Sequence, residues 1–166
     1  MRKRFPRAVN PARVGKYPAV AFAGGGYVWD SVLEYRVWCY PAIGAPDEND
    51  GNDYYFAFAT YPQAVRFSLE QPGAVEPIAL IEQREYIDEA KNGEFIHVKR
   101  RRVAEWPVEF LSRPRRNKNT LPDFFSPSAP ENRVDLIRGL AKKPRRKFKL
   151  QRVNESKNAN KTHRKK

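Results

Sequence analysis

A chain of 166 residues suits one domain with a modest core, and its longest apolar stretches, such as 17–22 and 54–59, are too short to cross a membrane. A single cysteine, Cys39, excludes an internal disulfide, and the N-terminus shows no apolar signal core, so the chain reads as cytoplasmic, with an organelle matrix left open by its Arg-rich, acid-free start. The net charge of +13 lies wholly in the ends: residues 1–26 carry six basic residues and no acid, 141–166 carry twelve against Glu155 alone, and 27–140 hold 14 basic and 18 acidic residues. This segregation points away from an enzyme that steers a small anion into a charged pocket and toward basic arms that follow a phosphate backbone, or else toward solvated tails.

Three organisational units are expected: a basic arm over 1–26, one domain over 27–140 and a basic tail over 141–166. Pro6, Pro11 and Pro18 fix φ and remove donors, so the arm should be extended. Gly24-Gly25-Gly26 forms a flexible turn into the domain. The run Leu33-Glu34-Tyr35-Arg36-Val37-Trp38-Cys39-Tyr40 reads as a strand stopped by Pro41, with Leu33, Tyr35, Val37 and Cys39 on one face. Residues 44–53 are acidic and rich in turn formers, and a second strand over 54–59 should pair with the first as a hairpin.

Thr60-Tyr61-Pro62-Gln63 fits a capping box that opens a helix running to about Gln71, where Pro72-Gly73 stops it. Val65 with Leu69, and Ala64 with Phe67, supply its apolar face. A third strand is expected over 78–87. Asn92-Gly93 is a hairpin turn into a fourth strand carrying Phe95, Ile96 and Val98. Lys99 to Arg102 interrupt it, and 103–111 continue as extended chain or a fifth strand. Three prolines make 112–127 a loop. Ser128-Ala129-Pro130-Glu131 reads as a second capping box, with a short helix to Arg138 and Gly139 as its C-cap. The order ββαββ(β)α defines an α+β domain with a mostly antiparallel sheet.

Familiar catalytic signatures are missing. Neither G-x-G-x-x-G nor G-x-x-x-x-G-K-S/T occurs, and there is no G-x-S-x-G elbow. One cysteine and one domain histidine, His97, cannot build a Cys/His zinc site, so no metal is expected. Cys39 reads as a buried thiol and His97 as a strand residue at the sheet surface. Trp29, Trp38 and Trp106 read as packing residues, with Trp106 the one best placed to line a cleft.

Two basic clusters stand out. Residues 99–118 hold eight basic residues against Glu105 and Glu109. Within it Lys99, Arg100, Arg101, Arg102, Arg115 and Arg116 are candidate phosphate contacts, or else charge compensation for the acidic segment before them. The second is Lys142, Lys143, Arg145, Arg146, Lys147 and Phe148, where arginine forks grip phosphates and the ring stacks on a base. Arg2, Lys3 and Arg4 extend the set at the N-terminus. The expected partner is RNA or a ribonucleoprotein, with no membrane partner and no cofactor.

The segments Gly25-Gly26-Tyr27-Val28, Leu33 to Cys39, Tyr54-Tyr55-Phe56-Ala57-Phe58-Ala59-Thr60-Tyr61, Gln83-Arg84-Glu85-Tyr86-Ile87, Glu105-Trp106-Pro107-Val108-Glu109-Phe110-Leu111 and the stretch from Asn132 to Leu140 resemble a family of short bacterial proteins often labelled acetyltransferases of the GNAT superfamily. The resemblance covers the domain and not the tails. It implies an acyltransferase using acetyl-CoA, whose pyrophosphate is held by a Q/R-x-x-G-x-G/A turn at a helix N-terminus. Gln71-Pro72-Gly73-Ala74 and Arg138-Gly139-Leu140-Ala141 carry similar residue types at different spacing. A third reading resembles small ADP-ribosyltransferases and would use Arg36 on an early strand with Glu105 on a late one. The leading expectation is a non-catalytic RNA- or ribonucleoprotein-binding protein, and the alternative is the acyltransferase.

Overall fold

The computed structural model describes residues 4–19 and 25–142. The protein is α+β, and all pairings between the described strands are antiparallel. Strand β1 (Ser31–Cys39) lies inside a four-stranded sheet, between β2 (Tyr54–Phe58) and β3 (Ile78–Gln83), with β6 (Arg102–Pro107) beyond β3. Its central place explains its composition: eight of its nine residues are buried, so both faces need packing partners. A register shift between Val32 and Glu34 puts Val32, not Leu33, on the core face with Tyr35 and Val37. Strict alternation would have missed that bulge.

Helix α1 (Tyr61–Glu70) covers that face. It starts after Thr60 as expected, with Pro62 in its first turn. The Thr60 hydroxyl bonds the Gln63 side chain at 2.8 Å and not a backbone N–H. Ala64 is buried and Phe67 packs on Phe56 and Phe58, whereas Leu69 points into solvent at 82% exposure. Trp29, Ala79, Ile81, Ala104 and Trp106 complete this core.

The expected long third strand is two strands. Residues Arg84 and Glu85 break it, so β4 (Tyr86–Lys91) leaves the sheet and pairs with β5 (Glu94–Val98) as a separate hairpin. Asn92-Gly93 makes its turn, with Gly93 at φ 81°. The hairpin is tied back through Tyr27, which bridges Ile87. A second core forms there from Tyr27, Val28, Tyr86, Ile87, Leu121, Phe124 and Ile137. Val28 holds φ 65° while fully buried, a strained backbone for a β-branched residue, and its carbonyl accepts a 2.8 Å bond from the Gln83 amide.

Three expectations fail after β6. The 112–127 stretch is not all loop, because α2 (Thr120–Phe125) buries Leu121 and Phe124 in the second core. Pro122 falls in the helix's first turn, where its missing N–H costs nothing. The Ser128 capping box does not form. Ser128 bonds Ser126 at 2.9 Å, and the last helix among the described residues, α3 (Arg133–Ile137), begins after Asn132. Gly139 follows it at φ 73°, the left-handed turn expected there. After β6 the chain tightens into a 3-10 turn over Val108–Ser112 and does not stay extended to 111.

The N-terminal segment is extended apart from a 3-10 turn at Pro11–Arg13, and it is anchored along the domain. Phe5 packs edge-on against Tyr61, the Pro6 carbonyl accepts from the Tyr35 hydroxyl at 2.6 Å, and Ala8 and Val9 donate to Ala59 and Val32. Burial, then Tyr61, pushes the Tyr35 hydroxyl pKa far above its ordinary value, so it remains a donor. No helix among the described residues is long and apolar enough to cross a membrane.

Candidate nucleic-acid interface

Asp30 organises a basic concavity of the domain. It lies just before β1, and its backbone N–H is fixed by the Glu82 carbonyl. One carboxylate oxygen accepts from the Arg84 backbone N–H at 2.7 Å. The other accepts from Arg116, with Nε at 2.8 Å and Nη2 at 2.7 Å. That bonding to Asp30 holds the Arg116 pKa above its ordinary value. The Asp30 carbonyl takes Nε of Arg115 at 2.9 Å. The Trp29 carbonyl takes the Arg116 N–H at 2.7 Å, and the Trp29 indole donates to the Arg113 carbonyl at 2.9 Å. The 113–116 segment is thereby pinned beside 29–30.

The result is a cavity of about 440 Å³ lined by Arg84, Arg115, Arg116, Asn117, Lys118, Ser31 and Asp30. Four cations and one carboxylate line it, with Glu82 and Glu85 within reach of Arg84 and Arg116. Arg115 and Lys118 are exposed, and the Arg84 side chain is 63% exposed with a loose 3.7 Å pairing to Glu82. Exposed cations held partly by the protein are suited to an anion: Arg115 and Arg116 are fixed by their bonds to Asp30, and exposed donors exchange water for phosphate oxygens. Arg116 is the positioning member, since Glu85 lies at 3.5 Å from its remaining nitrogen.

The other basic residues separate into groups. Lys99 and Arg100 lie exposed in the connection between β5 and β6. Arg101 is exposed but ion-paired to Glu82 at 2.7 Å. Arg102 turns inward, stacks on the Tyr86 ring at 3.9 Å and donates to the Gln83 side chain at 2.6 Å. The strand period placed Arg102 with Arg100. In the structure Arg102 opens β6 and packs under Gly26, which removes it from the solvent-facing set. Arg4 and Lys142 are exposed at the two ends of the described chain. Arg2, Lys3, Lys143, Arg145, Arg146, Lys147 and Phe148 lie outside the described residues.

Arg84 was not among the sequence candidates. It sits in what reads as mid-strand, and only the break between β3 and β4 swings it to the cavity. Trp106 is fully buried and donates its indole N–H to the Gly25 carbonyl, so it does not line a cleft. Arg113 is half-buried between Phe110, Tyr27 and Trp106 and donates to the Gly26 carbonyl at 2.7 Å. Burial lowers its pKa. His97 lies on β5 at the surface, bonded to Glu85 at 2.7 Å and stacked on Phe125. Cys39 is buried, and burial followed by Glu48 raises its thiol pKa.

A second charged cluster lies on the sheet face opposite α1. Arg36 is fully buried and donates Nε to Glu34 and Nη1 to Glu105, both at 2.7 Å, and Nη2 to the Pro18 carbonyl at 2.9 Å. Glu34 and Arg36 are two apart on β1, so they share a face, and Glu105 shares a row with Glu34 across β3. The anchored N-terminal segment closes this face. Gly15 donates to Glu34, and the Tyr17 carbonyl accepts from Tyr55, whose ring lies 4.3 Å from the Arg36 guanidinium.

No family model, no curated protein and no solved structure matches this chain.

Proposed function

We propose that this is a non-catalytic, cytoplasmic RNA- or ribonucleoprotein-binding protein. Its domain takes phosphates in the cavity lined by Arg84, Arg115, Arg116 and Lys118, and its basic ends follow the same backbone. The carrying observation is that those four cations line one cavity, with Arg116 fixed by the Asp30 carboxylate and Arg115 by the Asp30 carbonyl. Arg2, Lys3 and Arg4 on one side, and Lys142, Lys143, Arg145, Arg146, Lys147 and Phe148 on the other, supply further contacts, with Lys99 and Arg100 at the hairpin edge. The acetyl-CoA reading needs a splayed pair of parallel strands with a helix N-terminus in the gap. The antiparallel pairing of every strand offers it no support. The test is RNA binding by the full chain across a salt series. Binding that weakens steeply with salt supports the proposal, since each neutralised phosphate releases counterions. No binding, or binding indifferent to salt, sinks it.

A second reading has one observation in its favour. The nucleotide-transfer chemistry resembling small ADP-ribosyltransferases needs Arg36 beside Glu105, and they meet at 2.7 Å. All three donor positions of Arg36 are engaged and the side chain is sealed, so this reading also needs the N-terminal segment to lift. Cleavage of NAD by the full chain, abolished by Glu105→Gln, would favour it over the RNA reading.

A further inference from the structure

Beside the basic cavity runs a larger groove of about 610 Å³, between β4 and the two C-terminal helices. Its accessible apolar lining comes from Pro114, Pro130 and Leu136, laid over the buried core residues Ile87, Phe124 and Ile137. Arg115 and Asn117 line both cavities, so the two are neighbours with a common wall. We infer that the pair is a site for one unpaired nucleotide, with the base in the groove and its phosphate against Arg84, Arg115 and Lys118. This rests on the RNA reading and names the form of RNA that the site takes.

The chemistry of the two halves matches the two halves of a nucleotide. A base is a flat body with apolar faces and a polar edge. The groove offers an apolar floor, and polar groups of Asn117 and Thr120 stand at its rim. Asn117 Oδ1 is occupied by the Asn119 N–H at 2.8 Å, so the Asn117 amide presents its N–H donors. Arg133, exposed at the other rim and 5.4 Å from the Phe124 ring, adds a planar cation of the kind that stacks on bases. A purely apolar ligand would not need the adjoining cations, and an inorganic phosphate would leave the groove unfilled. A base within a duplex cannot enter without breaking its pair and stacking, so the site discriminates against double strands.

The experiment compares a short labelled single-stranded RNA with a duplex of the same sequence, both against the full chain, by fluorescence anisotropy. Ala129→Leu narrows the groove without touching a cation. Ser128→Leu, at an exposed rim position, serves if Ala129→Leu lowers the melting temperature. The single strand is expected to bind at least about ten-fold tighter than the duplex. The groove variant should bring it down to the duplex affinity and leave duplex binding unchanged. Equal affinity for both forms, or an indifferent groove variant, overturns the nucleotide site while the RNA reading stands. Failure of both forms to bind overturns both.

Discussion

Replacing Arg36 with Met should unfold a large part of the protein's stability margin. The methionine keeps much of the volume, so the cavity contribution is smaller than for Arg36→Ala. What is lost is the positive charge between Glu34 and Glu105, the former fully buried. Removing one member of a buried ion pair and stranding the other costs about 3–5 kcal/mol, against about 5–15 kcal/mol for a whole domain. The lost contact with the Tyr55 ring adds about 0.5–2 kcal/mol, and the Pro18 carbonyl loses its donor. At roughly 2–4 °C per kcal/mol the melting temperature should fall by roughly 10 °C or more. Urea unfolding followed by tryptophan fluorescence reads this, because Trp29 and Trp106 are buried in the core on the other face of the same sheet and become exposed when the domain unfolds. Adding Glu34→Gln to Arg36→Met removes the stranded charge and should recover more than half of the loss. A cost for Arg36→Met below about 1 kcal/mol, the range of an exposed pair, would refute the claim that this cluster is sealed and structural.

Gly26→Ala should cost about 1–3 kcal/mol in the same assay. Gly26 has φ 74°, and a methyl there would stand 3.0 Å from the Tyr86 ring and press on Arg102. Cys39 should resist iodoacetamide in the native protein and label only as fast as the sheet opens, since burial both shields the thiol and raises its pKa. Glu89 has its pKa lowered chiefly by the Gly93 N–H and then by the Tyr27 hydroxyl, with Arg138 adding to them. A depressed carboxyl stabilises the fold fully above its unfolded value and loses that contribution as pH falls through the native one. Glu89→Gln should therefore flatten the acid limb of stability against pH below the ordinary glutamate range, and an unchanged limb would remove Glu89 from the account.

Much of the fold could be read from local signals. Thr60 with Pro62, the Asn92-Gly93 turn and the β-rich runs around Tyr35 and Tyr54 act within a few residues, so their meaning does not depend on distant chain. The errors fall where distant contacts decide. Arg84 and Glu85 carry no breaker residue, yet the strand parts there because Asp30 captures the Arg84 N–H. Residues 120–125 read as loop because Pro122 looks like a stop, whereas Leu121 and Phe124 gain a helix by burial against Ile87 and Ile137. The basic cavity proposed to take phosphate was half legible. Arg115 and Arg116 stood out as a basic pair. Their convergence with Arg84 depends on Asp30, which in sequence is one acid among many. Arg102 shows the reverse, since charge made it a candidate and the Tyr86 ring took it into the interior. The N-terminal segment was legible as extended from its prolines, but its anchoring depends on Tyr35, Arg36 and Tyr55, which give no sign in sequence of what covers them. Truncation at residue 26 would strip these partners away, so RNA-binding experiments belong on a chain that keeps it.

The most direct test of the proposed phosphate site is the salt dependence of RNA binding by the full chain and by an Arg84→Gln, Lys118→Gln double variant. Both side chains are exposed, so the fold should survive. Each phosphate contact removed lowers the slope of log affinity against log salt by about 0.7–0.9, so the account predicts a slope shallower by about 1.5 and a weaker affinity at low salt. An unchanged slope would mean that phosphates bind elsewhere on the chain and would contradict the assignment of this cavity.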